Sequence, residues 1–203
     1  GDLGSQRFMY NPVQVGQLSG ITSLAAGWGY FLALRSDGTV WAWGSNAQGQ
    51  LGDGTRQDRI SPVQITSISG VKAIVAGINH SAALKSDGSV WVWGDNSNGQ
   101  HGSTTNTVQL TPLLVPGLSG AAALTVGSDY TIVLKSDGSV WASGNNWLGQ
   151  LGDGSFVASG RFAPVQDADR AKFFDLVPEQ VKAPVPASLV PPWNAMMSSS
   201  RQS

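Results

Sequence analysis

Cysteine is absent from the 203 residues, which excludes a disulfide framework, a thiol nucleophile and a zinc-thiolate site and leaves the compartment open. Glutamate is almost absent, Glu179 being the single one, and charged residues make up only 12% of the chain. A formal net charge of −1 offers no long-range attraction to nucleic acid or to a membrane surface. No apolar run approaches the roughly 18 residues needed to span a bilayer. The opening, Gly1-Asp2-Leu3-Gly4, has neither the basic segment nor the apolar stretch of a signal peptide. What abounds is glycine, with 26 residues, a balance expected of all-β repeats rather than helices.

One stretch recurs three times, fifty residues apart. Leu84-Lys85-Ser86-Asp87-Gly88-Ser89-Val90-Trp91 has counterparts beginning at Leu34 and Leu134, and Pro12, Pro62 and Pro112 keep the same spacing. Self-similarity at this period marks arrays in which each unit cannot bury its apolar surface alone. Apolar runs flank Asp-Gly at 37/38, 87/88 and 137/138, which predicts a tight hairpin in each copy with positive φ at both central residues. Two more short apolar runs lie upstream, Val63-Gln64-Ile65 and Val71 to Val75 in one copy, so each copy is expected to hold four strands. Within them successive residues such as Val90, Trp91 and Val92 are all apolar. A sheet apolar on both faces is covered on both, and blades stacked around an axis meet that demand. The tryptophans are expected to pack between blades.

The pattern Gly77-Ile78-Asn79-His80-Ser81-Ala82-Ala83-Leu84, then Asp87-Gly88, Val90-Trp91, Trp93-Gly94, Asn96 and Gly99-Gln100, resembles the repeat of the regulator of chromosome condensation family. The resemblance covers roughly residues 12 to 163 and implies a propeller of about seven blades, more than twice what this chain supplies. The expected fold is therefore all-β: a partial β-propeller of four-stranded antiparallel blades, three of a probable seven, with a poorly ordered C-terminal tail. Residues 1–11 read as the remnant of a preceding repeat, 12–61, 62–111 and 112–163 as three repeats, and 164–203 as a divergent segment or linker. Pro164-Val165-Gln166 is read as the opening of a fourth copy that lacks its Asp-Gly, residues 167–181 as a short helix after an Asp cap, and the following Pro- and Ser-rich stretch as extended.

Comparison among the copies separates scaffold from variation. Successive connections of an up-and-down sheet alternate between its two ends. The Ser-Gly and Asp-Gly connections therefore share one face and are nearly invariant, while the segments after Gly27, Gly77 and Gly127 and the long connections share the other and differ. On that variable face the candidates for contact with a protein partner are Trp28, Tyr30, Asn79, His80, Asp129 and Tyr130 from the short segments, with Arg56, Arg59, Trp147, Phe156 and Arg161 from the long ones. Trp147 stands out because it replaces Ala47 and Ser97 at a connection tip. His80 alternates with Tyr30 and Tyr130, an interchange that fits a packed hydrogen-bonding residue better than a catalyst. His101, in place of Leu51 and Leu151, reads as a partly exposed turn residue.

Several chemistries are not indicated. Two isolated histidines with no repeated carboxylate beside them make neither a metal site nor a Ser/His/Asp arrangement. Asp95-Asn96-Ser97-Asn98-Gly99 fails as a calcium loop, because Gln100 stands where Gly is needed and no Glu follows. The Gly-rich stretches lack the Lys of a phosphate loop. No cofactor is expected, and no catalytic role.

The family's namesake binds nucleosomes and promotes nucleotide exchange on a small GTPase, yet up to residue 160 seven Lys and Arg face nine Asp, the wrong balance for DNA. Light-sensing relatives carry Gly-Trp-Arg-His-Thr, where this chain has Gly27-Trp28-Gly29-Tyr30 without the Arg. Secreted bacterial propellers that clamp another protein resemble it more in style, which favours an extracellular or cell-surface setting. The function expected is a noncatalytic protein-interaction module with a protein partner, no nucleic acid and no membrane insertion. The alternatives are a structural or adhesive region of a larger surface protein, or a nucleotide-exchange factor. An open arc of three blades is expected to self-associate or to need further blades.

Overall fold

The computed structural model describes residues 14–15 and 18–166. The helix expected over 167–181, the C-terminal tail and the remnant at 1–11 lie outside the described residues. Among those described, twelve strands form three sheets of four, each in simple up-and-down order. The first holds β1 (Ile21–Ala26), β2 (Tyr30–Arg35), β3 (Val40–Gly44) and β4 (Arg59–Gln64); the second β5 (Val71–Ala76), β6 (His80–Lys85), β7 (Val90–Gly94) and β8 (Gln109–Leu114); the third β9 (Ala121–Val126), β10 (Tyr130–Lys135), β11 (Val140–Gly144) and β12 (Ser159–Pro164). All neighbours are antiparallel. This is an arc of three β-propeller blades.

The Asp-Gly hairpins are present but wound differently from the expectation. Gly38 N–H donates to the Arg35 carbonyl and Arg35 N–H to that of Thr39. Ser36 and Asp37 thus form the turn, and Gly38, at φ 79°, is the left-handed residue that follows it, the three-residue loop rather than the two-residue one. Asp37 decides this locally. Its carboxylate accepts from both the N–H and the hydroxyl of Thr39, and Asp87 and Asp137 do the same with Ser89 and Ser139. These bonds hold all three carboxyls below the ordinary aspartate range.

The proline-bearing run closes a sheet rather than opening one. Pro62 lies in β4, which pairs with β3 (Trp41 opposite Gln64, Ala42 opposite Val63) and slips register before Gly44 meets Arg59. A proline, having no N–H, is tolerated at such an irregular outer edge. In the third sheet the same register recurs with Trp141 opposite Pro164, and Val165 N–H donates to Val140 as Ile65 does to Val40. Pro164 therefore occupies the place of Gln64, not of Pro62. Phe162 holds the Pro62 position, so Pro164 ends the third blade instead of opening a fourth copy.

Both faces of each sheet are apolar because each meets a neighbour. Leu32, Leu34, Val40, Leu51 and Ile65 of the first sheet pack against Val71, Ile74, Ala83 and Trp93 of the second. Leu84, Val90, Val92 and Val115 of the second pack against Ala121 and Val133 of the third. The tryptophans do lie in these seams: Trp91 and Trp141 flank the two clusters, and Trp93 is fully buried.

Candidate interaction face

The connections sort to two ends as the alternation requires. At one end Ser36 N–H bonds Gly20 and Val71 N–H bonds Gly38. At the other the β1–β2 and β3–β4 connections meet: Ser45, Asp95 and Asn145 N–H groups donate to the carbonyls of Gly29, Asn79 and Asp129. This second end is the variable face. Near the axis it opens on a cavity of about 250 Å³, bounded by Gly27, Gly77 and Gly127 with Trp28, Ile78 and Ser128.

The long connections are held by one asparagine each. Asn46 is fully buried; its amide donates to the carbonyls of Thr55 and Gln57 and to Asp53, while its oxygen accepts from Leu51 N–H. Asn146 makes the equivalent bonds, and Asn96 bonds the Thr105 carbonyl and His101 N–H. A buried amide with its polar atoms satisfied fixes the loop around it. The recurrence of Asn before each Gly-Gln was the signal in the sequence; its role as the loop's core becomes visible only with the chain folded. Burial pushes the Asp53 carboxyl up, but bonds from Thr55 and Arg59 outweigh it and hold the group below its ordinary value.

The candidate contact residues divide into three groups. Trp28 (77% exposed), Trp147 (71%) and Phe156 (72%) stand in solvent, as do Arg56 and Arg161. Asn79, Asp129, Tyr130 and Arg59 are half-buried, and Arg59 is committed to Asp53 through an ion pair at 2.7 Å. Burial, and then the charge of Asp95, push the Asp129 carboxyl up. Tyr30 and His80 are completely buried and present no side-chain atom to a partner.

Those last two staple the blades together. Tyr30 Oη donates across the first seam to the His80 carbonyl at 2.6 Å, and Ser81 Oγ lies within bonding distance of both Tyr30 Oη and the Gln50 carbonyl. Trp93 Nε1–H donates to that same carbonyl. In the second seam His80 Nε2 lies 3.3 Å from Thr131 Oγ1, which donates to the Gln100 carbonyl; Ser143 Oγ donates to that of Gly99. Tyr30 and His80 interchange because this position reaches into the next blade. His101 corrects the expectation of partial exposure: it is buried, its ring 6.4 Å from that of His80, because its position is the core slot of Leu51. Burial, with the neighbouring histidine, lowers His80 to about 3, and burial lowers His101 to about 4.

A model described as the regulator of chromosome condensation (RCC1) repeat matches residues 37–84 and 87–134, and a second of the same description matches 21–50 and 71–100. Between them they span more than half of the chain. The chain belongs to the RCC1 repeat family. In the third sheet β11 and β12 lie beyond those matches and keep the same register.

Among solved structures, human WBSCR16 is 24% identical over 75% of this chain and 39% of its own, with a TM-score of 0.67. Prp20p from Saccharomyces cerevisiae is 18% identical over 75% of this chain and 40% of its own, with a TM-score of 0.68. The same yeast protein bound to Kap60 gives 18% and 0.68 over 38% of its length. These likenesses are of fold, and this RCC1 repeat chain spans about two fifths of those chains.

Proposed function

We propose that these RCC1 repeats act as a noncatalytic protein-interaction module whose variable face docks a protein partner, as three blades of a seven-bladed propeller. One observation carries the reading. Residues 47 and 97 correspond to Trp147, and 56 and 106 to Phe156; all four remain exposed although a following blade covers their sheets. The exposure of Trp147 and Phe156 is thus a property of the face, independent of how many blades follow. Large aromatic side chains presented on rigid loops are the usual anchors of protein interfaces, and Asn146 makes this loop rigid. Trp28 adds a third anchor beside the axial cavity.

The yeast relative supports the class of partner: Prp20p binds Gsp1p and histones, and it has been seen with Kap60. Absence of catalysis is the simpler reading of the two histidines, both of which are buried away from solvent and held neutral. The test is affinity capture from the source cells with the full chain and with a Trp28→Ala/Trp147→Ala/Phe156→Ala variant. A protein captured saturably by the first and lost with the second is the expected result. Equal capture by both overturns the reading, and absence of any saturable partner favours a structural or adhesive role.

A further inference from the structure

The two seams differ on the variable face, and a cleft lies at the second. At the first seam Leu110 of β8 fills the space beside the β3–β4 connection: a Cβ placed on Gly49 would stand 2.7 Å from Leu110 Cδ2. Leu110 also receives the Gly54 N–H on its carbonyl. At the second seam the residue in register with Leu110 is Gly160, and the residue in register with Val108 is Ala158. Two branched aliphatic side chains are replaced by a hydrogen and a methyl, and at Gly160 the backbones close in: a Cβ on Gly99 would collide with Gly160 Cα. A cleft of about 310 Å³ stands there, with Ala158 and Gly160 on one wall.

The opposite wall is polar and uncharged. Ser97, Asn98, Thr104 and Asn106 line it. Ser97 is bonded to Asp95 and Asn98 to Ser97, which orients them. Thr104 and Asn106 make no hydrogen bond with any other described residue, so a hydroxyl and a whole carboxamide are left to a ligand. Carboxamides and hydroxyls donate and accept at once, which suits a partner that also does both at every position. No lining side chain carries charge, so nothing there rewards an ionic ligand. The volume is at the small end of ligand sites, the size of one ring rather than a cofactor. On the Ala158 side the chain continues back to the exposed Phe156, an apolar surface adjoining the polar cleft.

We propose that this cleft between the second and third blades binds a neutral polyhydroxyl ligand of the size of a single sugar ring. Asn106, Thr104 and Asn98 supply the hydrogen bonds, and the small methyl of Ala158 leaves the cleft unfilled. The site is separate from the aromatic anchors proposed above and does not depend on them.

The experiment is equilibrium dialysis of the full chain against labelled glucose, galactose, mannose and N-acetylglucosamine, with glucuronate as the charged control, a readout indifferent to self-association. Saturable binding of at least one neutral sugar, stronger than that of glucuronate, is expected. A Cβ on Gly160 would stand 3.1 Å from the Ser103 oxygen and 3.3 Å from Thr104 Cα, so the variant that fills the cleft is Ala158→Leu, at an exposed position. This variant should weaken binding at least ~tenfold, and Asn106→Ala, at an exposed loop position, should do so by a similar factor. If Ala158→Leu does not fold, Asn106→Ala alone decides. No saturable binding of any neutral sugar, unchanged binding in Asn106→Ala, or preference for glucuronate overturns the proposal. Trp147→Ala should leave sugar binding unchanged, which separates this site from the protein-docking face.

Discussion

The hydroxyl of Tyr30 reaches the carbonyl oxygen of His80 at 2.6 Å, so the first residue of β2 in one blade is bonded to the first residue of β6 in the next. Burial pushes the Tyr30 hydroxyl well above its ordinary pKa, against the opposing bonds from Ser81 and Gly77, so it remains a donor at any pH the fold survives. Tyr30→Phe removes this bond and the one the hydroxyl accepts from Ser81 Oγ. The His80 carbonyl keeps its bond from Gly77 N–H and Ser81 keeps Gln50, so no buried group is orphaned. The expected cost is about 1 kcal/mol, read as a lower urea midpoint at unchanged slope.

The histidine pair sets an acid limit. His80 and His101 sit at about 3 and 4 in the fold, whereas an unfolded histidine titrates near ~6.5. Both are depressed bases, so their contribution is fully present above the unfolded value and is lost as pH falls from there towards the folded ones. The slope approaches ~1.4 kcal/mol per pH unit for each. Between pH ~6.5 and ~5 the chain should lose about 3 kcal/mol. His101→Leu, which installs the residue of the other two copies, should lose about half as much. Denaturant melts at the two pH values check it; equal pH dependence in the two proteins would refute the role given to His101.

Asn46 is the loop residue whose loss costs most. Asn46→Ala strands the Leu51 N–H and the carbonyls of Thr55 and Gln57 around a buried gap, for an expected ~3 kcal/mol. Arg59→Ala, in contrast, removes a half-exposed partner of Asp53 and should cost about 1 kcal/mol or less. Reversal of that order in thermal melts would show that the ion pair, not the amide, holds the connection.

Two tryptophans on homologous blades should behave oppositely. Trp93 is fully buried with its indole N–H on Gln50, and Trp93→Ala is expected to cost ~3–5 kcal/mol. Trp147 is exposed, and Trp147→Ala should stay within about 0.5 kcal/mol while affecting partner capture. A large loss of stability in Trp147→Ala would reassign it from docking to packing.

What was legible in the sequence follows from these same residues. The period, the Asp-Gly hairpins and the need to cover both sheet faces were readable because Val90, Trp91 and Val92 leave no solvent side. The pairing of the proline strand was not. The 65–70 connection is short and the 45–58 connection long, which suggests the wrong neighbour; the buried Asn46 folds the long one back, and its effect lies outside any local propensity. His101 was misjudged for a related reason: a polar residue in a turn reads as exposed, but its two counterparts, Leu51 and Leu151, are both buried. On the variable face, composition could nominate Tyr30 and Trp147 alike. Only the fold shows that one points into a seam and the other into solvent.

The outward side of the first blade predicts association. Leu24 is 66% exposed and Ile60 85%, and Phe31 stacks on Trp43 at 5.5 Å where it is open to solvent. The corresponding residues of the second blade, Ile74 and Ser81, are buried against the first. An apolar sheet face of this kind is stable only when covered. Purified as given, the 21.1 kDa chain should therefore show a light-scattering mass that rises with concentration. Leu24→Lys with Ile60→Lys should lower it, because charge on the open face opposes stacking of a second sheet there. A single species of 21.1 kDa at every concentration would show instead that this face is already covered within one chain.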